Sequence, residues 1–205
     1  MPIVVLISGG GTNLQAIIDA AASGELPVTI EAVVSDKPNA YGLERAQKAG
    51  IKTLTLEYKG FESREAYDVA LQQLIEAQSP QLVVLAGFMR ILSAPFVEHF
   101  LGRMINIHPS LLPKHRGLNT HQRAIDAGDG EAGCTVHFVV PEIDAGPMII
   151  QARVPIHDGD SSDELAARVL KQEHQIFTRA IDWFANSRLR LVDGDAQLDG
   201  KNIEI

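Results

Sequence analysis

Apolar and amphipathic segments alternate along the first half of the chain. Residues 2–7 form an apolar run rich in β-branched side chains, the pattern of a strand buried on both faces. Leu14, Ile17 and Ile18 then recur at helical spacing until Gly24, a residue typical of helix ends. The alternation continues, with strands predicted at residues 28–35, 51–56 and 81–87, and helices near 46–50 and at 63–78. This order predicts an α/β protein with a doubly wound, Rossmann-like, mostly parallel sheet.

The second half of the chain has a different rhythm. Two strand-like segments, residues 133–140 and 147–154, are joined only by residues 141–146, which is too short for a crossover helix. An antiparallel strand pair is therefore predicted late in the chain. The other elements predicted here are helices at residues 94–100, 121–127 and 161–185, a fifth strand at 104–108 and a small C-terminal hairpin at 188–198.

Composition limits the classes of partner. A chain of 205 residues that is 45% hydrophobic is most simply one domain, and we expect residues 1–205 to form it. Its net charge of -8 argues against nucleic acid and anionic membrane as partners. The single cysteine, Cys134, fits a reducing compartment and is expected to be a buried apolar residue. We see no secretory leader and no apolar run long enough to span a bilayer, so we expect a soluble, cytoplasmic protein.

Two polar residues interrupt the apolar fifth strand. Asn106 and His108 lie two positions apart, and because side chains alternate across a strand, both are expected to project from the same face. Pro109 lacks a backbone donor and restricts His108 to extended conformations, so the strand is predicted to end there. An amide can donate to an oxyanion and an imidazole can move a proton near neutral pH. We therefore expect a chemical site at the carboxyl edge of the sheet.

A run of glycines follows the first strand. Gly9, Gly10 and Gly11 let the backbone approach a ligand closely, and the helix that begins beyond them offers unpaired N–H groups to a phosphate. The run is not a Walker A loop, because no Lys-Ser or Lys-Thr follows it, and Leu14 replaces the last glycine of a dinucleotide-binding pattern. A phosphate-bearing substrate is favoured, while a tight turn without a ligand stays an alternative.

Acidic residues in the second half have two possible interpretations each. Asp144 lies in the turn between the two late strands, where it can bond its own backbone or pair with His108 and favour the imidazolium. Glu173, in the long helix, belongs either to a solvated face or to a contact with a substrate amine or ribose hydroxyl.

Metal binding and covalent catalysis lack support in the sequence. His108, His115 and His121 run through a proline-containing loop, without a His-Glu-x-x-His or paired-cysteine pattern, so no metal is expected. There is no Gly-x-Ser-x-Gly elbow, and Cys134 begins a strand. The other histidines, among them His99, His137 and His157, are expected to be structural or solvated.

Four segments together resemble the phosphoribosylglycinamide formyltransferases, folate-dependent enzymes of purine synthesis. They are Ser-Gly-Gly-Gly-Thr-Asn-Leu at 8–14, Ala-Gly-Phe-Met-Arg-Ile-Leu at 86–92, Asn-Ile-His-Pro-Ser-Leu-Leu-Pro at 106–113 and Asp-Ala-Gly-Pro at 144–147. The third segment alone resembles a wider formyl-transfer superfamily. The likeness extends over essentially the whole chain.

The resemblance implies transfer of a formyl group from 10-formyltetrahydrofolate to the amine of 5-phosphoribosylglycinamide, by direct attack and without a metal. It implies catalysis by Asn106, His108 and Asp144. Residues 1–100 would then be the phosphate-binding half and residues 101–205 the catalytic and folate-binding half. The ribotide-binding residues implied are Gly11, Thr12, Asn13 and Glu173. The folate-binding residues implied are Met89, Arg90, Ile91, Leu92, Val97, Val140, Pro141, Glu142 and Ile143, with Arg64 assigned to either ligand.

Some positions depart from the family pattern. Many relatives have Asn at position 10, Ser at 12 and His at 119, where this chain has Gly10, Thr12 and Asn119. The first two changes leave the backbone cradle in place, and Asn119 is given no catalytic role. The resemblance leaves the oligomeric state open between monomer and homodimer.

Three rival functions stay open at this point. A methionyl-tRNA formyltransferase shares the central segment but usually has a further C-terminal domain and a basic surface. A 10-formyltetrahydrofolate deformylase transfers the same group to water and typically has an N-terminal regulatory domain. A catalytically silent module that binds folate or phosphate would bind ligands without formyl transfer.

Overall fold

The computed structural model describes residues 1–205 and divides into two compact units, Met1–Ile105 and Asn106–Ile205. Seven strands form one sheet in the order β3-β2-β1-β4-β5-β6-β7, and three more form a small second sheet. The boundary between the units falls within the fifth strand, β5 (Met104–His108), close to the predicted division at residue 100. The single-domain organisation stays a prediction.

The first unit contains parallel strands connected by helices. The strands are β1 (Pro2–Ile7), β2 (Thr29–Ser35), β3 (Thr53–Thr55) and β4 (Leu82–Leu85), and β1 pairs in parallel with both β2 and β4. The helices are α1 (Thr12–Ser23), α2 (Tyr41–Lys48), α3 (Arg64–Glu76) and α4 (Ala94–His99). Ile3 to Ile7 are fully buried, as the continuous apolar run predicts for a central strand.

The second unit is built on the predicted antiparallel pair. Its elements are α5 (Thr120–Asp126), β6 (Glu131–Phe138), β7 (Met148–Pro155), α6 (Ser162–Ala185) and the small sheet of β8 (Leu189–Val192), β9 (Asp195–Leu198) and β10 (Lys201–Asn202). Ser161 caps α6 through its side chain and forms a reciprocal capping box with Glu164. The cap fixes where the long helix begins.

The predicted fold class is confirmed, with differences at the element ends. The strand predicted at residues 51–56 is reduced to β3, and the helix predicted near 46–50 is α2, which begins at Tyr41. The C-terminal hairpin gains a third strand, because a turn at Gly200, with φ of 78°, brings Lys201 back beside Leu198. Such short pairings leave little periodic signal in a sequence.

Gly133 allows β6 and β7 to approach closely. A Cβ at this position would overlap the backbone oxygen of Ala152, whereas a Cβ at Gly130 would meet no atom within 4 Å. We predict that Gly133→Ala lowers the free energy of unfolding in urea by about 1–3 kcal/mol through overpacking. The control Gly130→Ala should change it by less than about 0.5 kcal/mol. Equal stability of the two variants would contradict the close packing of the strands.

Candidate active site

The carboxyl end of β5 presents an amide and an imidazole. Asn106 is half-buried and His108 is buried, and the strand ends at His108 as predicted. Nε2 of His108 lies 3.1 Å from the carbonyl oxygen of His115. The strand therefore places His108 where a following loop contacts one side of its ring.

Asp144 lies against the other side of that ring. Its Oδ2 is 3.4 Å from Nδ1 of His108 and accepts a hydrogen bond of 2.9 Å from the backbone N–H of Gly117. The side chain is 11% exposed, and the residue has a φ of 50°, a conformation that aspartate tolerates better than most residues. The predicted pairing of Asp144 with His108 is thus present in the structure. The interpretation of Asp144 as an ordinary turn residue does not describe it.

Both ring nitrogens of His108 face oxygen acceptors. Nδ1 faces the Asp144 carboxylate and Nε2 faces a backbone carbonyl. A carbonyl only accepts hydrogen bonds, and an ionised carboxylate likewise only accepts them, so an imidazolium satisfies both contacts at once. The surroundings of His108 are therefore suited to a positively charged ring.

His137 lies close to Asn106 and Asp144, although the sequence analysis assigned it a structural or solvated role. It is 2% exposed, its Nε2 lies 3.2 Å from Nδ2 of Asn106, and the same nitrogen lies 3.8 Å from Oδ1 of Asp144. Thr135 and His137 alternate along β6 just as Asn106 and His108 alternate along β5. A second polar pair at strand spacing was the signal that could have revealed it.

A buried polar network holds the loop after β5. The hydroxyl of Thr135 donates to the carbonyl of Ser110 and accepts from the backbone N–H of Leu112. Gln151 donates to the same hydroxyl and to the Leu112 carbonyl. Because buried polar groups need partners, this network fixes the loop beside His108.

The loop between β5 and α5 has exposed side chains near the candidate folate-binding residues of the loop between β6 and β7. Leu118 is 73% exposed, while Arg116 forms an ion pair of 2.7 Å with Glu142 in the loop between β6 and β7. Burial and the neighbouring His108 lower the pKa of His121 in α5. Of the candidate folate-binding residues in this unit, Val140 is half-buried, and Pro141, Glu142 and Ile143 are exposed.

The glycine loop of the first unit is held by α2. Gly11 has a φ of 69°, and a Cβ there would come within 2.6 Å of Cα of Gly42. Arg45 donates from Nε to the carbonyl of Gly10, and the N–H of Gly42 donates to Gly9. Thr12 and Asn13 are the first residues of α1. The loop is thus a fixed turn before a helix N-terminus, the arrangement expected of both a phosphate cradle and a plain turn.

Ser8 ties the glycine loop to the second motif of the same unit. Its backbone N–H donates to Gly87, and its hydroxyl accepts from the backbone N–H of Met89 at 2.8 Å. The guanidinium of Arg90 lies 3.8 Å from the ring centroid of Tyr58, a cation–π contact that keeps this side chain against the protein. Residues 89–92 therefore offer their backbone more readily than the Arg90 side chain.

The remaining candidates differ in exposure. Met89 and Ile91 are exposed, and Leu92 and Val97 are buried. Arg64 forms an exposed ion pair with its neighbour Glu65. Glu173 is 7% exposed, so its interpretation as part of a solvated helix face is wrong.

Neither a metal-ligand cluster nor a membrane-spanning helix is found. No three His, Cys, Asp or Glu side chains are arranged to hold a metal ion. None of the helices combines the length and apolarity needed to cross a bilayer.

A cavity of about 450 Å³ in the second unit is lined by residues such as Leu111, Lys114 and Gln151, and by none of Asn106, His108 and Asp144.

Comparison with known proteins places this geometry in a family. Residues 1–181 match the family model for formyl transferases. The phosphoribosylglycinamide formyltransferase of Escherichia coli is 55% identical over 203 residues, which are 99% of this chain and 96% of the relative. The chain belongs to the phosphoribosylglycinamide formyltransferases.

Two further relatives support the family assignment. The solved structure of the Coxiella burnetii phosphoribosylglycinamide formyltransferase superimposes with a TM-score of 0.96 at 51% identity, and the match covers 100% of this chain and 96% of that one. A human trifunctional purine biosynthetic protein is 44% identical over 189 residues, 92% of this chain but 19% of the longer relative. The likeness to the Escherichia coli and Coxiella burnetii proteins spans nearly the full length of this formyltransferase and of both relatives.

Cys134 is poorly suited to act as a nucleophile. It is fully buried in β6, and burial, with a smaller contribution from the charge of Glu173, raises the pKa of its thiol to about 12. At pH 8 a thiol with that pKa is ionised to about one part in ten thousand. We predict that the native protein releases no thionitrobenzoate from Ellman's reagent at pH 8, and that the urea-unfolded protein releases one equivalent. Comparable rates for the two states would contradict the burial of this side chain.

Proposed function

We propose that this chain transfers the formyl group of 10-formyltetrahydrofolate to the amine of 5-phosphoribosylglycinamide in de novo purine biosynthesis. The observation that carries the proposal is the cluster of Asn106, His108 and Asp144 in a chain of this family. An amide donor beside an imidazole that is paired with a buried carboxylate is suited to acyl transfer, in which an oxyanion forms and a proton moves.

The three residues have distinct roles in this reaction. Attack by the glycinamide nitrogen on the formyl carbon forms one C–N bond and turns the formyl oxygen into an oxyanion, to which Asn106 donates a hydrogen bond. His108, which faces the Asp144 carboxylate, adds positive charge beside the oxyanion and helps to deliver the proton with which N10 of the folate leaves. The attacking amine loses one proton, which replaces the proton that His108 gives to N10, so the proton count balances and the ring ends as it began. These roles need no metal, and none is assigned.

The ligand-binding roles follow the family pattern. Gly11, Thr12 and Asn13 bind the ribotide phosphate through the loop and the first turn of α1, and the buried Glu173 contacts the ribotide. Met89, Arg90, Ile91 and Leu92 bind the pterin through backbone groups, beside apolar Leu92 and Val97. Val140, Pro141, Glu142 and Ile143 are the folate-binding residues of the second unit, and Arg64 contacts either ligand. We further propose that the protein acts in the cytoplasm as a monomer or homodimer, without nucleic-acid or membrane partners.

The substrates can be tested by omission. We predict that purified protein forms formylated ribotide and tetrahydrofolate only when both 5-phosphoribosylglycinamide and 10-formyltetrahydrofolate are present, followed by absorbance and chromatography. Release of formate at an equal rate without the ribotide would instead support a deformylase. Tight binding of both ligands with no transfer would support a silent module.

The catalytic roles predict large losses of turnover with the fold intact. Removing an oxyanion donor by Asn106→Ala should lower kcat about 100-fold to 1000-fold. Asp144→Asn, which removes the charge facing His108, should lower kcat by a similar order. Circular dichroism and urea unfolding check that both variants are folded.

Asp193→Asn is the matched control for the aspartate variant. Asp193 has a φ of 51°, against 50° for Asp144, but lies in the exposed turn between β8 and β9. We expect it to retain normal turnover. Near-normal turnover of Asn106→Ala or Asp144→Asn would contradict the role assigned to that residue.

A further inference from the structure

We propose that His137 is a positioning residue for the formyl transfer, because its Nε2 accepts a hydrogen bond from Asn106 and so fixes which end of the Asn106 amide faces the formyl oxygen. The inference rests on the proposed function. It concerns a side chain that touches Asn106 and that has no role in the steps described above.

The donor and acceptor roles follow from the contact on the far side of the ring. Nδ1 of His137 lies 2.8 Å from the backbone carbonyl oxygen of Phe138. A carbonyl oxygen only accepts, so Nδ1 carries a hydrogen and donates it. In a neutral imidazole the other nitrogen then has no hydrogen and is an acceptor. Nε2 can therefore hold the amide of Asn106, 3.2 Å away, only through an N–H of Nδ2.

This contact selects one of two amide orientations. The two ends of an asparagine amide are nearly equal in shape, so packing alone does not distinguish them. With one N–H of Nδ2 bonded to His137, the second N–H of the same nitrogen is available to the developing oxyanion. A half-turn of the amide would bring Oδ1 against Nε2, two acceptors facing each other, and would change the groups offered to the substrate.

The charge state of His137 matters for the same reason. A doubly protonated ring would donate from Nε2 and favour the opposite amide orientation. Burial lowers the pKa of His137, while the hydrogen bond to Phe138 and the charge of Asp144 act to raise it and His108 acts to lower it. The net direction is downward, which keeps the ring neutral and Nε2 an acceptor at neutral pH.

Two substitutions probe the two sides of the ring. His137→Asn keeps a short amide that can donate toward Phe138 and removes the acceptor that faces Asn106. His137→Gln reaches toward Asn106 with an amide that is itself free to turn, and so orients Asn106 less strictly. We expect His137→Asn to lower kcat about 10-fold, less than loss of the donor itself, and His137→Gln to lower it less. The KM values of both substrates should stay within about twofold, because the lost interaction acts in the transition state.

The decisive measurement places each substitution in an Asn106→Ala background. If His137 acts through Asn106, neither substitution should lower kcat by more than about twofold when the amide is absent, whereas independent effects would add. A merely structural role would lower the free energy of unfolding and reduce kcat equally in both backgrounds. The exposed His157, changed to Asn, is the matched control and should leave kcat unchanged.

The outcomes separate this inference from the proposed function. Absence of formyl transfer in the unaltered protein contradicts the function. Normal transfer in the unaltered protein, combined with either an undiminished kcat in His137→Asn or an equal loss in the Asn106→Ala background, overturns the positioning role alone. If His137→Asn does not fold, the same comparison with His137→Gln decides the matter.

Discussion

The carboxylate of Asp144 is the group on which the candidate site depends. A charge that is 11% exposed must be compensated, because a buried ion without partners is costly. The compensation comes from the Gly117 N–H and the ring of His108. The backbone of Asp144 takes up a positive φ to bring the side chain there. One carboxylate thus holds the loop at Gly117 and the ring of His108 in place.

His108 and His137 have different hydrogen-bond partners, and these partners favour different protonation states of the two rings. His108 has oxygen acceptors on both sides, so its charged form satisfies every contact. His137 has an acceptor on one side and the Asn106 amide on the other, so the neutral form of its ring satisfies both contacts. Burial lowers the pKa of His137, which also favours the neutral form. These contacts are consistent with the roles proposed for the two residues, His108 as a proton carrier and His137 as a fixed acceptor.

Local patterns predicted the parts of the site that depend on spacing. Asn106 and His108 follow from strand alternation with a proline behind them, and the parallel sheet follows from the order of apolar and amphipathic segments. The role proposed for His137 did not follow, because it depends on the carbonyl of Phe138 and on Asn106 from another strand. Glu173 was ambiguous for a similar reason, since only tertiary packing shows that this position of α6 is buried. The ligands of the first-unit motifs stay proposals that rest on family resemblance.

The proposed chemistry requires the Asn106 amide to face the reacting carbonyl with its nitrogen, and a crystal structure with both ligands would show this orientation. The protein would be crystallised with the ribotide and an analogue of 10-formyltetrahydrofolate that cannot transfer its formyl group. We predict that the formyl oxygen lies about 3 Å from Nδ2 of Asn106 and that the second N–H of this nitrogen donates to His137. A formyl oxygen out of reach of Asn106, or facing its Oδ1, would contradict the role of Asn106 as the oxyanion donor.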